Sequence, residues 1–455
     1  MLGYQHAQKR LNRDQKQALG ILSIGTFLEY FDLYLYVHMA VLLNDLFFPK
    51  ADPHTARLYE AAALCSTYIF RPIGALIFGW LGDNIGRKST IIITTILMSI
   101  SCLIMANLST YDQIGIVATW VMLACRMAQG MSSMGEVIGA DIYLTEFIKP
   151  PVQYPAVAAL DSFCILGGFG ALCIASLVTS FGFSWRMAFL IGAGIALVGA
   201  IGRTSLRETP DFIDAKRHLK ITLEKANIDP KKIKNTILYK ETTNIKTIIA
   251  FFLLDCAGPI AFYVSYIYCA NILKNSFDYS PAEIIHQNLF VAAVELFGAF
   301  MLVYLSCKIY PLKIIKIKLV IFAAFVLIFP YLLYNLASPS QIFLIQAYVM
   351  LFGCFMSPGF PIFCKYLPIL RRYTYASFSF ALSRASMFTL TTFGSIYLIK
   401  YLDHWGVIVI LVPITLGFWY GLNHFEKLEK EAGNYPQKLF EVYAEKESLN
   451  PDNIF

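Results

Sequence analysis

The sequence is short of charge. Only 15% of its 455 residues are Asp, Glu, Lys or Arg, against about a quarter in an ordinary soluble chain. The shortage is uneven, and windows such as 91–104 and 191–201 hold no charged residue at all. Neither window shows the polar face that a helix packed on a soluble core turns to water. Paired cysteines are lacking too. None of the ten cysteines forms a CxxC pair, so neither a disulfide framework nor a zinc site is indicated. Cys102, Cys125, Cys164, Cys173, Cys256 and Cys354 read instead as small apolar packing residues. The histidines at 6, 38, 54, 218, 286, 404 and 424 have no metal-ligand spacing, and no metal or cofactor is expected. His38 reads as interfacial. Gly86-Arg87-Lys88-Ser89-Thr90 looks like the end of a phosphate loop, but Arg87 separates the glycine from the lysine and an apolar helix precedes it, not a strand. No nucleophile–base pair is evident, which argues against an enzyme. The net charge of +7 does not point to nucleic acid, because the basic residues sit at the ends of apolar runs. No small-x-small cleavage site follows Lys9, Arg10, Arg13 and Lys16, and the next apolar run carries Glu29 and Asp32, so it reads as a retained first helix.

What is present is a chain 57% hydrophobic, whose long apolar runs each reach the roughly 20 residues needed to cross hydrocarbon. The fold class is an all-α membrane protein of about twelve transmembrane helices. The expected spans are 17–41, 58–81, 88–107, 114–140, 155–180, 184–204, 246–272, 284–306, 314–336, 340–364, 373–399 and 404–424. They divide into two six-helix bundles, 17–204 and 246–424. A short N-terminus (1–16), a Lys- and Glu-rich central loop (205–245) and a charged, solvated tail (425–455) complete the chain. One set of short loops holds Arg87, Lys88, Lys149, Lys308, Lys313, Lys316, Lys318, Lys365, Arg371 and Arg372; the opposite set holds Lys50, Arg57, Lys274 and Lys400. The bias places both termini in the cytoplasm. Gly258-Pro259 and Ser357-Pro358-Gly359 interrupt two spans and offer bending points.

Gly79-Trp80-Leu81-Gly82-Asp83-Asn84-Ile85-Gly86-Arg87-Lys88 is the most specific stretch. Gly86 suits a tight turn, Gly79 and Gly82 allow close helix contact, and Asp83 and Arg87 suit an ion pair at helix ends. With Gly79, Asp83, Gly86, Arg87 and Lys88, it resembles the signature loop of the major facilitator superfamily, departing at Asn84, where that family usually has a basic residue. The resemblance implies a major facilitator fold in which this loop holds one conformation closed. The second-half equivalent, 306–313, has lost the pattern. Much of the first half is similar to the metabolite:H+ symporter family within it. Gly25-Thr26-Phe27-Leu28-Glu29-Tyr30-Phe31-Asp32, Arg71-Pro72-Ile73-Gly74, Arg126-Met127-Ala128-Gln129-Gly130 with Gly135-Glu136, Trp185-Arg186 and Glu208-Thr209-Pro210-Asp211-Phe212 carry that likeness. Thr26, Met134, Ala158 and Ala159 depart from it. Leu160-Asp161 resembles the proline/betaine branch.

A charge at mid-bilayer costs at least about 2.5–3.5 kcal/mol on insertion scales, so intramembrane charges should face partners or a cavity. Glu29 and Asp32 lie three residues apart, on one helix face. A carboxylate beside an arginine can load and release a proton as its neighbour moves. Asp32, Arg126, Glu29 and Glu136 are therefore the candidates for proton coupling. Tyr30, Tyr34, Arg71, Asp161, Asp255, Tyr263, Tyr266, Glu295 and Arg384 are candidates for substrate binding, the tyrosines because aromatic faces attract quaternary ammonium. Arg71 and Asp141 also fall near the expected cytoplasmic boundary. The function expected is secondary active, proton-coupled symport of a small polar metabolite or compatible solute, proline- or betaine-like, across a bacterial inner membrane by a monomer. Alternatives are symport of a di- or tricarboxylate or other organic acid, and a solute sensor that does not transport.

Overall fold

The structure, a computed structural model, describes residues 8–49, 66–181, 184–225, 244–394, 398 and 401–436. Apolar runs far longer than a soluble helix needs become helices here, because in hydrocarbon every backbone N–H and C=O must bond within its own segment. The first six are α1 (Arg13–Phe47), α2 (Arg71–Asn84), α3 (Arg87–Asn107), α4 (Ile116–Ser133), α5 (Gln153–Phe181) and α6 (Trp185–Arg203). α4 continues through a wider turn, Met134–Ile138, into Gly139–Phe147. After α7 (Pro210–Lys225), α8 starts at Ile245–Asp255 and runs on through Ala257–Phe262, a wider turn at Tyr263–Tyr268, and Cys269–Phe277. α9 (Pro281–Ser306), α10 (Pro311–Tyr334), α11 (Pro339–Phe352), α12 (Arg372–Thr389) and α13 (Trp405–Glu431) complete the set. Each expected span overlaps one of these helices, although residues 58–65 of the second and 395–397 and 399 of the eleventh lie outside the described ones.

Local chemistry sets several starts. Pro281, Pro311 and Pro339 occupy first-turn positions, where the missing N–H costs nothing. At α9 the Ser280 hydroxyl accepts from the Glu283 N–H, while the Glu283 carboxylate accepts from the Ser280 N–H at 2.8 Å, a reciprocal cap.

Four readings of the sequence need correction. The tail does not begin at 425: α13 runs to Glu431, with Phe425, Glu426 and Glu429 buried, because that carboxylate-bearing face finds donors inside the bundle. The stretch 205–245 is not all loop, since α7 occupies Pro210–Lys225 and buries Phe212. The span 340–364 is two pieces, α11 and a short helix Phe360–Cys364 beyond the Ser357-Pro358-Gly359 interruption. Lys316 and Lys318 are not loop residues but lie inside α10.

Within the first six helices α1 packs on α5 and α3 on α6; within the second set α13 packs on α8 and α10. The most extensive packing between the sets is of α5 with α9 and of α2 with α12. The second crossing is tight. A Cβ at Gly82 would come within 2.6 Å of the Tyr373 ring, and one at Gly79 within 2.8 Å of the Thr374 Cα, so only glycine lets these backbones approach. Seven described helices are both long and apolar enough to cross a bilayer. Large apolar side chains such as Trp120, Phe290, Phe297, Leu327 and Tyr331 point outward, away from the protein core. That outward apolar surface is what a lipid-facing bundle requires.

Candidate functional site

Between the two helix sets lies a cavity of about 240 Å³. Its walls carry three basic side chains, Arg71, Lys318 and Arg384, and four acidic ones, Asp141, Asp161, Asp255 and Glu295. The first set supplies Arg71, Asp141 and Asp161; the second supplies the other four. Aromatic residues fill much of the remaining wall, among them Tyr30, Tyr34, Tyr68, Phe262, Phe380 and Phe388. Several meet across the two sets. Tyr68 stacks on Phe388 with ring centroids 3.8 Å apart, and Tyr34 packs edge-on against Phe262 and Tyr266 at 5.2 and 5.7 Å.

Two of the three cations are already engaged. Arg71 donates to Glu29 at 3.0 Å and lies 4.8 Å from the centre of the Tyr68 ring. Arg384 donates to Asp255 at 3.3 Å and covers the Phe380 ring at 3.4 Å, while the Ser379 hydroxyl donates to the other Asp255 oxygen at 2.9 Å. Glu295 accepts from the Tyr266 hydroxyl at 2.9 Å. The wider turn that contains Tyr266 rotates its side chain relative to a regular helix, a feature that recurs at functional sites.

Asp32 and Arg126 meet, but away from the cavity wall. Arg126 donates to Asp32 at 2.8 Å and to Gln129 at 2.9 Å, Gln129 donates to the second Asp32 oxygen at 2.9 Å, and the guanidinium sits 4.1 Å from the centre of the Tyr36 ring. All are buried. Of the expected substrate residues, Tyr30, Tyr34, Arg71, Asp161, Asp255, Glu295 and Arg384 line the cavity. Tyr266 reaches it through Glu295 and Tyr34. Tyr263 is buried in the core and is not part of the wall. The Glu136 side chain lies outside the described residues. Arg71 and Asp141, read near the boundary, instead open onto the cavity, because α2 and α4 extend further past these positions than hydropathy suggested.

The 84–87 turn between α2 and α3 forms a second polar cluster. Gly86 has φ 143° there, a conformation a side chain would strain. Asp83 pairs with Arg87 at 3.2 Å and accepts from the Thr374 N–H at 2.9 Å and its hydroxyl at 2.7 Å, at the start of α12. Arg87 grips Glu146 with two bonds, 3.1 and 3.2 Å, and donates to the Ile369 carbonyl at 2.8 Å. Arg372 reaches the same Glu146 at 3.2 Å, and the Thr209 hydroxyl donates to it at 2.7 Å. Glu208 accepts from the Arg87 N–H at 3.0 Å. Lys88 donates to the Thr204 carbonyl at 2.8 Å and is half-buried. The cluster ties the first helix set to the second at this end of the bundle.

Sequence reasoning missed Lys318, Asp141, Glu146 and Arg372 as site members. The signal for Glu146 was available as an acidic residue at the end of an apolar span. Arg372 and Lys318 were absorbed into the count of basic loop residues.

Residues 22–390 match the family described as Major Facilitator Superfamily. The chain belongs to that superfamily. It is thus a multi-pass membrane protein of the transporter type, not an enzyme. It is 30% identical over 275 residues to a proline/betaine transporter of Escherichia coli strain K12, covering 58% of this chain and 54% of that one. The same figures hold for the glycine betaine/proline/ectoine/pipecolic acid transporter OusA of Dickeya dadantii. An inner membrane metabolite transport protein of E. coli, YhjE, is 34% identical over 212 residues, 44% of this chain and 48% of that one. The chain spans about half the length of the curated relatives it matches. Among solved structures, the proton:xylose symporter XylE bound to 6-bromo-6-deoxy-D-glucose superposes with a TM-score of 0.72 at 15% identity, covering 91% of this chain and 99% of that one. At that identity the likeness concerns the fold.

Proposed function

We propose that this protein carries a small zwitterionic solute, proline- or betaine-like, across a bacterial inner membrane together with a proton, by alternating access between its two helix sets. The observation that carries this reading is the cavity between those sets, walled by charges of both signs and by aromatic rings. A zwitterion needs an anionic and a cationic partner at once, and aromatic faces favour a substituted ammonium by about 0.5–2 kcal/mol. A dicarboxylate fits less well, since acidic side chains outnumber basic ones on the wall and two of the cations already hold carboxylates. The two six-helix bundles move as units, with both termini in the cytoplasm and the 84–87 turn closing the cytoplasmic side. The Asp32–Arg126 and Glu29–Arg71 pairs carry the proton coupling, each able to trade an arginine for a proton as helices shift. Glu136 belongs to the same group of coupling residues. A membrane potential of an assumed ~150 mV supplies about 3.5 kcal/mol per charge moved, which corresponds to roughly 300-fold accumulation.

The test is uptake by proteoliposomes in weakly buffered medium. Proline or betaine addition should alkalinise the medium in step with uptake, and Asp32→Asn should abolish the pH change. Uptake without alkalinisation would refute the coupling. Specific binding without any flux would convert the reading to that of a sensor.

A further inference from the structure

Lys318 is the cavity cation that remains available. Arg71 is held by Glu29 and Arg384 by Asp255. Lys318 is buried with 8% of its surface exposed, lines the cavity, and enters no ion pair or hydrogen bond among the described residues. Its ammonium lies 5.3 Å from the centre of the Phe355 ring, and the nearby Glu295 is engaged by Tyr266. A buried ammonium that has a carboxylate, Glu295, in its neighbourhood but makes no salt bridge with it is costly to maintain in a core. The opposite wall has the complementary feature. Asp141 and Asp161, from the first helix set, both line the cavity, and no arginine or lysine forms a salt bridge with either among the described residues, although Ser357 hydrogen-bonds Asp161. One Asp141 carboxylate oxygen is fully buried with no hydrogen-bond partner. Asp161 lies eight residues into α5 and Lys318 seven residues into α10. At 1.5 Å per residue both sit about 11 Å inside helix starts at the same end of the bundle. The two charges thus lie at a similar depth, one in each helix set.

We infer that Lys318 is the anchor for the solute's carboxylate and Asp161, supported by Asp141, the anchor for its cationic end, so that one zwitterion bridges the two helix sets through side chains that hold no salt bridge without it. The inference rests on the proposed function and assigns its recognition to particular atoms. It separates the cavity charges into two roles. Arg71 and Arg384 keep their carboxylates, while Lys318 and Asp161 wait for the solute. Bridging also gives a physical reason for closure around a bound solute, because each half contributes one of the two ionic contacts.

The experiment measures stabilisation of the full-length purified protein against concentration of three probes: betaine, choline and succinate. Betaine carries both charges, choline the cation without the carboxylate, and succinate only carboxylates. Stabilisation rises with log concentration above the dissociation constant. Betaine is expected to stabilise the wild type, and succinate is not. Lys318→Gln should weaken betaine by about tenfold or more, the scale of a lost charge-assisted contact, and leave any response to choline unchanged. Lys318→Arg should recover part of the betaine response. Asp161→Asn should weaken betaine and choline alike. The solute-free melting temperature of Lys318→Gln should equal or exceed the wild type, since an unpaired buried charge is removed; a purely structural lysine would lower it. Betaine binding by Lys318→Gln at wild-type strength, or equal losses for betaine and choline, would overturn the anchor while leaving the transport reading standing. A wild type stabilised by succinate, or by none of the three, would overturn both.

Discussion

The two halves of the chain each bury one carboxylate completely at the end of the bundle that carries the 84–87 turn, and they neutralise it differently. In the first half Glu146 is held by Arg87 and Arg372, with Thr209 donating as well. In the second half Glu429 accepts from the Tyr310 and Tyr366 hydroxyls, each at 2.5 Å, and pairs with Lys365 at 2.5 Å. The first cluster draws one of its two arginines from the other half and so joins the halves. The second takes its donors to Glu429 from its own half and fastens the end of α13 to its neighbours. Guanidinium groups, with five fixed donors, can serve a carboxylate and a backbone carbonyl at once, which is how Arg87 reaches both Glu146 and Ile369. Hydroxyls offer a single donor and cannot span two elements in the same way. In the degenerate 306–313 segment Tyr310 donates to Glu429 and also packs edge-on against Tyr154 of the first half at 6.0 Å, an aromatic contact and not an ionic one.

That contrast can be broken most strongly at Glu146. Glu146→Gln leaves two buried guanidinium groups facing a neutral amide, and removing one partner of a buried pair costs about 3–5 kcal/mol. A large drop in melting temperature is expected, along with faster cysteine labelling on this side of the bundle as the halves part. A melting temperature within a degree of wild type would mean that Glu146 is not the keystone of the latch. Glu429→Gln should cost less, about 1–3 kcal/mol, because the amide oxygen still accepts from one tyrosine, the amide N–H can donate to the other hydroxyl, and only Lys365 loses its anion. Here the labelling rate between halves should stay unchanged, and a rise would show that the second cluster also holds the halves together. The smallest effect belongs to Asn84, which departs from the superfamily pattern. Its side chain is half-buried and, among the described residues, donates to the Trp80 carbonyl. Asn84→Arg is expected to shift stability by less than about 0.5 kcal/mol, as surface changes away from special features do. A larger gain in chemical denaturation would mean that a basic residue there reinforces the latch.

The fold and the signature turn were legible because both rest on local rules. Span length follows from bilayer thickness, and Asp83, Gly86 and Arg87 lie within five positions of each other. The Asp32–Arg126 partnership was legible as a need, since a buried arginine demands an anion. The cavity was legible only in part. Asp161, Asp255, Glu295 and Arg384 stood out as charges inside apolar runs, whereas Lys318 was hidden among the lysines at the start of α10, and Asp141 near a helix end. Tyr263 and Tyr266 were inseparable in sequence. The wider turn at Tyr263–Tyr268 directs one to Glu295 and the other into the core, and no periodicity rule anticipates that rotation. The tail misled for a related reason: Glu426 and Glu429 look solvated until Tyr310, Tyr366, Lys316 and Lys365 are seen to enclose them.

By itself the sequence determined that this chain crosses a membrane many times, because apolar length and backbone hydrogen bonding leave a lipid-exposed segment no alternative to the helix. It also determined which superfamily the signature turn belongs to, through residues adjacent in the chain. Only the tertiary structure decided which charges are spent on each other and which remain open to the cavity. That distinction depends on partners as far apart in sequence as Glu146 and Arg372, or Asp255 and Arg384, and on the burial that makes each pairing obligatory.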